Sequence, residues 1–103
     1  MDNRLQLINQ LFEIQGKIAE IGHSSSFERN FNRLFNIFEE EGFIIQDPIN
    51  ESYADSRADC EASIVGASSS KMKITKTLKP AIYQKQNGQI QLVQKAVVLV
   101  EKI

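Results

Sequence analysis

The 103-residue chain has no tryptophan, one cysteine, two prolines and one histidine. A lone Cys60 closes no internal disulfide and builds no zinc site by itself, so a reducing compartment is expected. No apolar run approaches the roughly 18 residues that a membrane helix needs. The opening MDNRLQLINQ mixes polar with apolar residues, unlike a signal peptide. Twelve basic and thirteen acidic residues give a formal charge of −1, and the pI is near 5.8. That balance offers no cationic excess for phosphates, so nucleic acid is not an expected partner. Glycine-rich phosphate loops, zinc-ligand sets and catalytic triads are also missing. These absences exclude the common enzyme classes and point to a cytoplasmic protein that needs no cofactor and crosses no membrane.

What is present begins with an amphipathic segment, residues 3–21. Leu7, Leu11, Ile14, Ile18 and Ile21 alternate by four and three, a two-heptad stripe. Leu5, Ile8 and Phe12 widen it into a second apolar surface, so this helix must pack on more than one neighbour. Two heptads are too short for a stable isolated coiled coil. The stripe must therefore meet the second helix, a second copy of the chain, or both.

Gly22 suits the C-terminal cap of that helix. Ser25 and Glu28 have the spacing of a capping box that would start another. The alternative is one kinked helix. The second helix carries Phe27, Phe31, Leu34, Phe35 and Phe38 on one face and ends at Glu41, capped by Gly42.

Beyond Gly42 the period shortens. Phe43-Ile44-Ile45 reads as a strand closed by Asp47-Pro48, and residues 49–59 as an ordered loop around Tyr53. Further strands are expected from Glu61, from Met72 through Leu78, and on both sides of Asn87-Gly88, a pair favoured in type I′ hairpin turns. The nearly continuous apolar run Ala96 to Val100 predicts a central strand buried on both faces. The fold class is thus α+β. An N-terminal helical hairpin or pair of helices, residues 1–42, forms a dimerisation region; a small, mainly antiparallel β-domain of four or five strands, residues 43–103, follows it.

Few side chains suggest chemistry. His23 stands between Gly22 and a run of serines, with no orienting acid beside it, which fits a turn or capping role better than a catalytic base. Asp47, Glu51, Asp55, Asp59 and Glu61 lack the alternate-position ligands and glycine of a calcium loop, so local turn hydrogen bonds are expected. Asp59 and Glu61 flank Cys60 and should raise its pKa, the opposite of an activated thiolate. Glu39-Glu40-Glu41 sits at a helix C-terminus, where it opposes the macrodipole; it serves solubility or a basic partner surface.

The joint at Gly42 resembles that of the GrpE nucleotide exchange factors. Their pattern reads L-x-x-x-L-x-x-x-G-V-x-x-I, then G-E-x-F-D-P-x-x-H-E-A. The residues that correspond in order here are Leu34, Phe38, Gly42, Phe43 and Ile45, then Glu51, Tyr53, Asp55, Glu61 and Ala62. Lys79-Pro80-Ala81, the Asn87-Gly88 turn and Ala96 to Val100 continue the likeness to the C-terminus. Cys60 stands where the family has histidine, and Gln94 and Lys95 replace an arginine and a proline. The linker is longer, and the family's long paired helix is missing, since residues 3–21 span only about 28 Å.

The resemblance implies a homodimer through Leu7, Leu11, Ile14, Ile18 and Ile21. Its β-wing would grip the nucleotide-binding domain of a DnaK-type chaperone ATPase through Gly42, Phe43, Glu61, Lys79 and Tyr83. Gly42→Asp is then expected to harm partner binding more than folding, although an ordinary helix cap explains Gly42 equally well. The rival is a small homodimeric scaffold with no chaperone partner.

Overall fold

The computed structural model describes residues 3–103 and has an α+β architecture. Helices α1 (Asn3–Glu20) and α2 (Ser24–Glu40) precede seven strands: β1 (Phe43–Gln46), β2 (Ser52–Tyr53), β3 (Cys60–Val65), β4 (Met72–Lys79), β5 (Ala81–Gln86), β6 (Gln89–Gln94) and β7 (Ala96–Lys102). Gly22, at φ +78°, ends α1. Its N–H donates to the Ala19 carbonyl, and that of His23 to the Ile18 carbonyl, each at 3.1 Å. This is the paired bonding of a Schellman cap. The turn is so tight that Ser24 is already helical, with His23 at the N-cap position and no side-chain cap bond. Ser25 therefore lies inside the helix, and the expected Ser25–Glu28 capping box does not start it.

The strands form two sheets rather than one, in the orders β1-β5-β6 and β2-β4-β7-β3. All pairs are antiparallel except β3 with β7. Two single-residue corners make the division. Pro80 separates β4 from β5 and Lys95 separates β6 from β7, so the chain leaves one sheet for the other at each. Proline has no N–H to give a ladder, which is why β4 stops at Lys79. Asn87 (φ 52°) and Gly88 (φ 78°) form the tight turn between β5 and β6. β7 lies between β4 and β3; its Ala96, Val98 and Val100 are fully buried, while Val97 and Leu99 are half-buried. Bulges in β4 break its simple alternation, and Leu78 is exposed instead of joining Met72 and Ile74 inside.

Two buried clusters hold the fold. Cys60, Met72, Ile74, Ala81, Ala96, Val98 and Val100 fill the first, with Tyr53, Ala62 and Tyr83 against it. In the second, Ile8 from α1 and Phe38 from α2 meet Phe43 from β1 and Ile82 from β5. Phe38 and Phe43 pack edge to face, their ring centroids 6.4 Å apart. Arg4 caps this cluster, its guanidinium 4.8 Å from the Phe43 ring centroid and 3.0 Å from Glu41 Oε1. Asn9 and Gln94 exchange two amide hydrogen bonds of 2.8 Å, and Gln94 Nε2 also donates to the Pro80 carbonyl at 2.9 Å. One side chain thus links α1, β6 and the corner between the sheets.

Because Ile8 is fully buried where all these elements meet, Ile8→Ala is expected to destabilise the protein by about 2–5 kcal/mol. Urea unfolding measures this; a loss below about 1 kcal/mol would mean that α1 does not dock as described.

Candidate functional site

The loop after β1 is built around Arg57, which sequence periodicity did not single out. Its Nε donates to Asp59 Oδ1 at 2.8 Å and its Nη2 to Asp59 Oδ2 at 3.2 Å. Nη2 also donates to Glu51 Oε1 at 2.6 Å, and Nη1 to the Ser52 carbonyl at 3.0 Å. The hydrogen bonds from Arg57 hold the Asp59 carboxyl below the ordinary carboxylate range, while Asp59 and Glu51 keep the guanidinium protonated. Asp47 Oδ1 accepts from the Ile49 N–H at 3.1 Å, closing a local turn. Asp47, Glu51 and Asp59 thus organise the loop, and among the described residues no group of three His, Cys, Asp or Glu side chains could hold a metal ion. Burial pushes the Cys60 thiol up, and the neighbouring Asp59 carboxylate adds to the shift.

The residues that the family resemblance picked out fall in two places. Glu61 and Lys79 both stand opposite Val97, one from each neighbouring strand, and share the face of that sheet turned away from the buried cluster. Gly42, Phe43 and Tyr83 belong to the other sheet and its joint with α2. Phe43 is 1 % exposed and locked against Phe38, so it is core and offers no partner contact. Tyr83 is half-buried against the first cluster.

Gly42 is structural in three ways. Its φ of +96° is a conformation that other residues adopt at a cost. Its N–H donates to the Glu39 carbonyl at 3.0 Å, while its own carbonyl accepts from the Lys85 N–H at 2.8 Å. A Cβ at this position would lie 3.2 Å from the Lys85 carbonyl oxygen. Gly42→Asp, expected to harm partner binding more than folding, therefore carries a folding cost as well, because the substitution strains the joint itself.

The clearest uncommitted surface is helical. Leu7 and Ile14 of α1 and Ile21, in the turn just after it, are spaced by seven and are 55 %, 45 % and 69 % exposed. Phe27 and Leu34 repeat that spacing on α2 and are also exposed. The expected stripe is divided: Leu11 is half-buried against the Ile8 cluster, and Ile18 lines a crevice between the helices with Phe31. On the wing, Ile90 and Leu92 of β6 are exposed and β6 pairs with β5 alone. Exposed apolar residues in rows mark association surfaces better than isolated ones do. Among the described residues no helix is long and apolar enough to cross a membrane.

Compared with known proteins, the chain matches no family model, no curated protein and no solved structure at a significant level.

Two outcomes follow from this geometry. Arg57→Ala should cost about 1–3 kcal/mol, because two carboxylates lose their common donor. The Asp59 carboxyl is depressed in the folded state, so its stabilisation is complete at neutral pH and disappears as pH falls through the carboxylate range. Thermal melts at pH 7 and at low pH should therefore show a wild-type advantage over Arg57→Ala that shrinks on acidification. Gly42→Ala should lower stability by about 1–3 kcal/mol; an unchanged melting temperature would show that the joint tolerates a Cβ.

Proposed function

We propose that this chain is a GrpE-like adaptor acting on a DnaK-type chaperone ATPase in the cytoplasm. In this reading the exposed line Leu7, Ile14 and Ile21 seats a second copy, and the β-wing binds the open form of the ATPase's nucleotide-binding domain so that ADP leaves. The observation that carries it is the order of parts at one joint: a helical pair, the glycine cap at Gly42, the short strand β1, an Arg57-organised loop and a two-sheet wing. That order agrees with the motif likeness across residues 27–103.

The mechanism is population shift. An adaptor that binds the open cleft more tightly than the closed one raises the open fraction, and the gain is limited by its differential affinity. No bond is made or broken, so neither a cofactor nor a catalytic constellation is required. By linkage, an adaptor that weakens ADP binding must itself be displaced by ADP to the same degree.

The second reading is a homodimeric scaffold without a chaperone partner. A scaffold dimer would cover its wing with the second copy, so Ile90 and Leu92, open on β6 of the single chain, are the residues whose cover in the dimer separates the two readings.

The test is release of a fluorescent ADP analogue from the DnaK-type ATPase of the same genome. Acceleration by roughly tenfold or more, saturating with adaptor concentration, is the expected result and equals about 1.4 kcal/mol of coupling at the barrier. No acceleration together with no binding would replace the adaptor by the scaffold.

A further inference from the structure

The near-neutral overall charge conceals a strong segregation. Residues 71–103 contain seven lysines and a single acidic residue, Glu101. Lys73, Lys76 and Lys79 are spaced by three along β4, and in a regular strand such positions alternate between faces. Here they do not. Register shifts between Ile74 and Lys76 and between Thr77 and Lys79 each absorb one residue. The three lysines consequently stand opposite Glu101, Leu99 and Val97, which are alternate residues of β7 on one face of the sheet. The buried partners Val98 and Val100 occupy the other face. Two residues of strand separate successive rungs, so the ammonium groups are rooted about 7 Å apart.

All three lysines are exposed, and among the described residues none of them makes an ion pair. Lysines and bulges also guard open strand edges, and β2 with the two residues before it covers β4 only from Met72 to Ile74. Guarding works from either face, however, and does not require a row of like charges to be gathered on one. Such a row sets like charges on successive rungs, and only Lys73 has a carboxylate, Glu101, directly across the strand pair.

From this arrangement we infer that the outer face of β4 and β7 is a docking surface for an acidic face of a partner protein. Carboxylates about 7 Å apart match it, as alternate residues of a strand or successive turns of a helix present them. Half-buried Val97 and Leu99 supply an apolar floor between the lysines and the β3 strand.

The surroundings select a polypeptide's carboxylates over the stiff, uniformly charged backbone of a DNA duplex. Glu61 lies across Val97 from Lys79, and Glu101 lies opposite Lys73. Glu13 and Glu20 of α1 line the same open cleft, of about 470 Å³, as Lys76 and Lys79. A phosphate backbone would meet these carboxylates, whereas a protein surface of mixed charge can complement both signs. The inference rests on the adaptor reading for the partner's identity, and on the lysine row for its chemistry.

The test compares K73E/K76E/K79E with K71E/K85E/K102E, which makes the same change in net charge elsewhere, and with the milder K73Q/K76Q/K79Q. Thermal melts confirm that each variant folds. Binding is measured to the DnaK-type ATPase of the same genome and to poly-L-glutamate, with a DNA duplex as competitor. The expected result is that the row variants weaken both interactions by about tenfold or more, with the glutamine variant intermediate and the control close to wild type. If the ATPase binds wild type and row variants alike, the docking surface is overturned and the adaptor stands. If the ATPase does not bind but poly-L-glutamate binding still depends on the row, the adaptor falls and the surface stands. Equal losses in row and control variants, no poly-L-glutamate binding by wild type, or tighter binding of DNA than of poly-L-glutamate would each overturn the docking surface.

Discussion

Everything in this fold depends on the contact of Ile8, Phe38, Phe43 and Ile82, where two helices and the first sheet share one buried cluster. Without it, α1 would be an isolated helix of 18 residues, a length that is marginal in water. With it, the helix gains a fixed seat, and Arg4 and Asn9 on either side of Ile8 bond to Glu41 and Gln94. Gly42 makes the geometry reachable: its left-handed backbone turns the chain from α2 into β1 within hydrogen-bond range of Lys85. Apolar burial supplies the affinity of the docking, and the amide and ion pairs fix its register.

That seat leaves α1 two-sided, which links the packing to function. The inward side, Leu5, Ile8 and Leu11, belongs to the shared cluster, while the outward line of Leu7, Ile14 and Ile21 remains open. A helix held rigidly from one side presents its other side in a fixed orientation, the property that an association surface needs. The wing is similarly divided. In β5, Ala81 and Tyr83 meet the first cluster while Ile82 meets the second, so the open apolar residues lie along the edge strand β6, and the lysine row lies on the outer face of β4. The proposed adaptor function uses these open faces and asks nothing of the acidic loop beyond its rigidity.

Much of this was legible in the sequence wherever local chemistry decides structure. The apolar periods of residues 3–21 and 27–38, the glycine stops at Gly22 and Gly42, the Asn87-Gly88 turn and the central place of the run at Ala96 all correspond to features of the fold, although that strand is fully buried on one face and not on both. What stayed hidden depends on tertiary register. Pro80 and Lys95 look like ordinary strand ends until both are seen to carry the chain between sheets. The lysines at 73, 76 and 79 read as alternating until the bulges align them. Phe43 carried a family resemblance as a contact residue, yet the position of β1 beside α2 makes it core. Arg57 had no periodic signal at all, since its role comes from a loop that folds back on Glu51 and Asp59.

The central claim is that the outward line of α1 is an interface with a second copy, and sedimentation equilibrium over a range of micromolar concentrations tests it most directly. The account requires a mass of twice 11.7 kDa, falling toward the single-chain value for Leu7→Asp with Ile14→Asp while the fold is retained. A mass of 11.7 kDa at every concentration would contradict it.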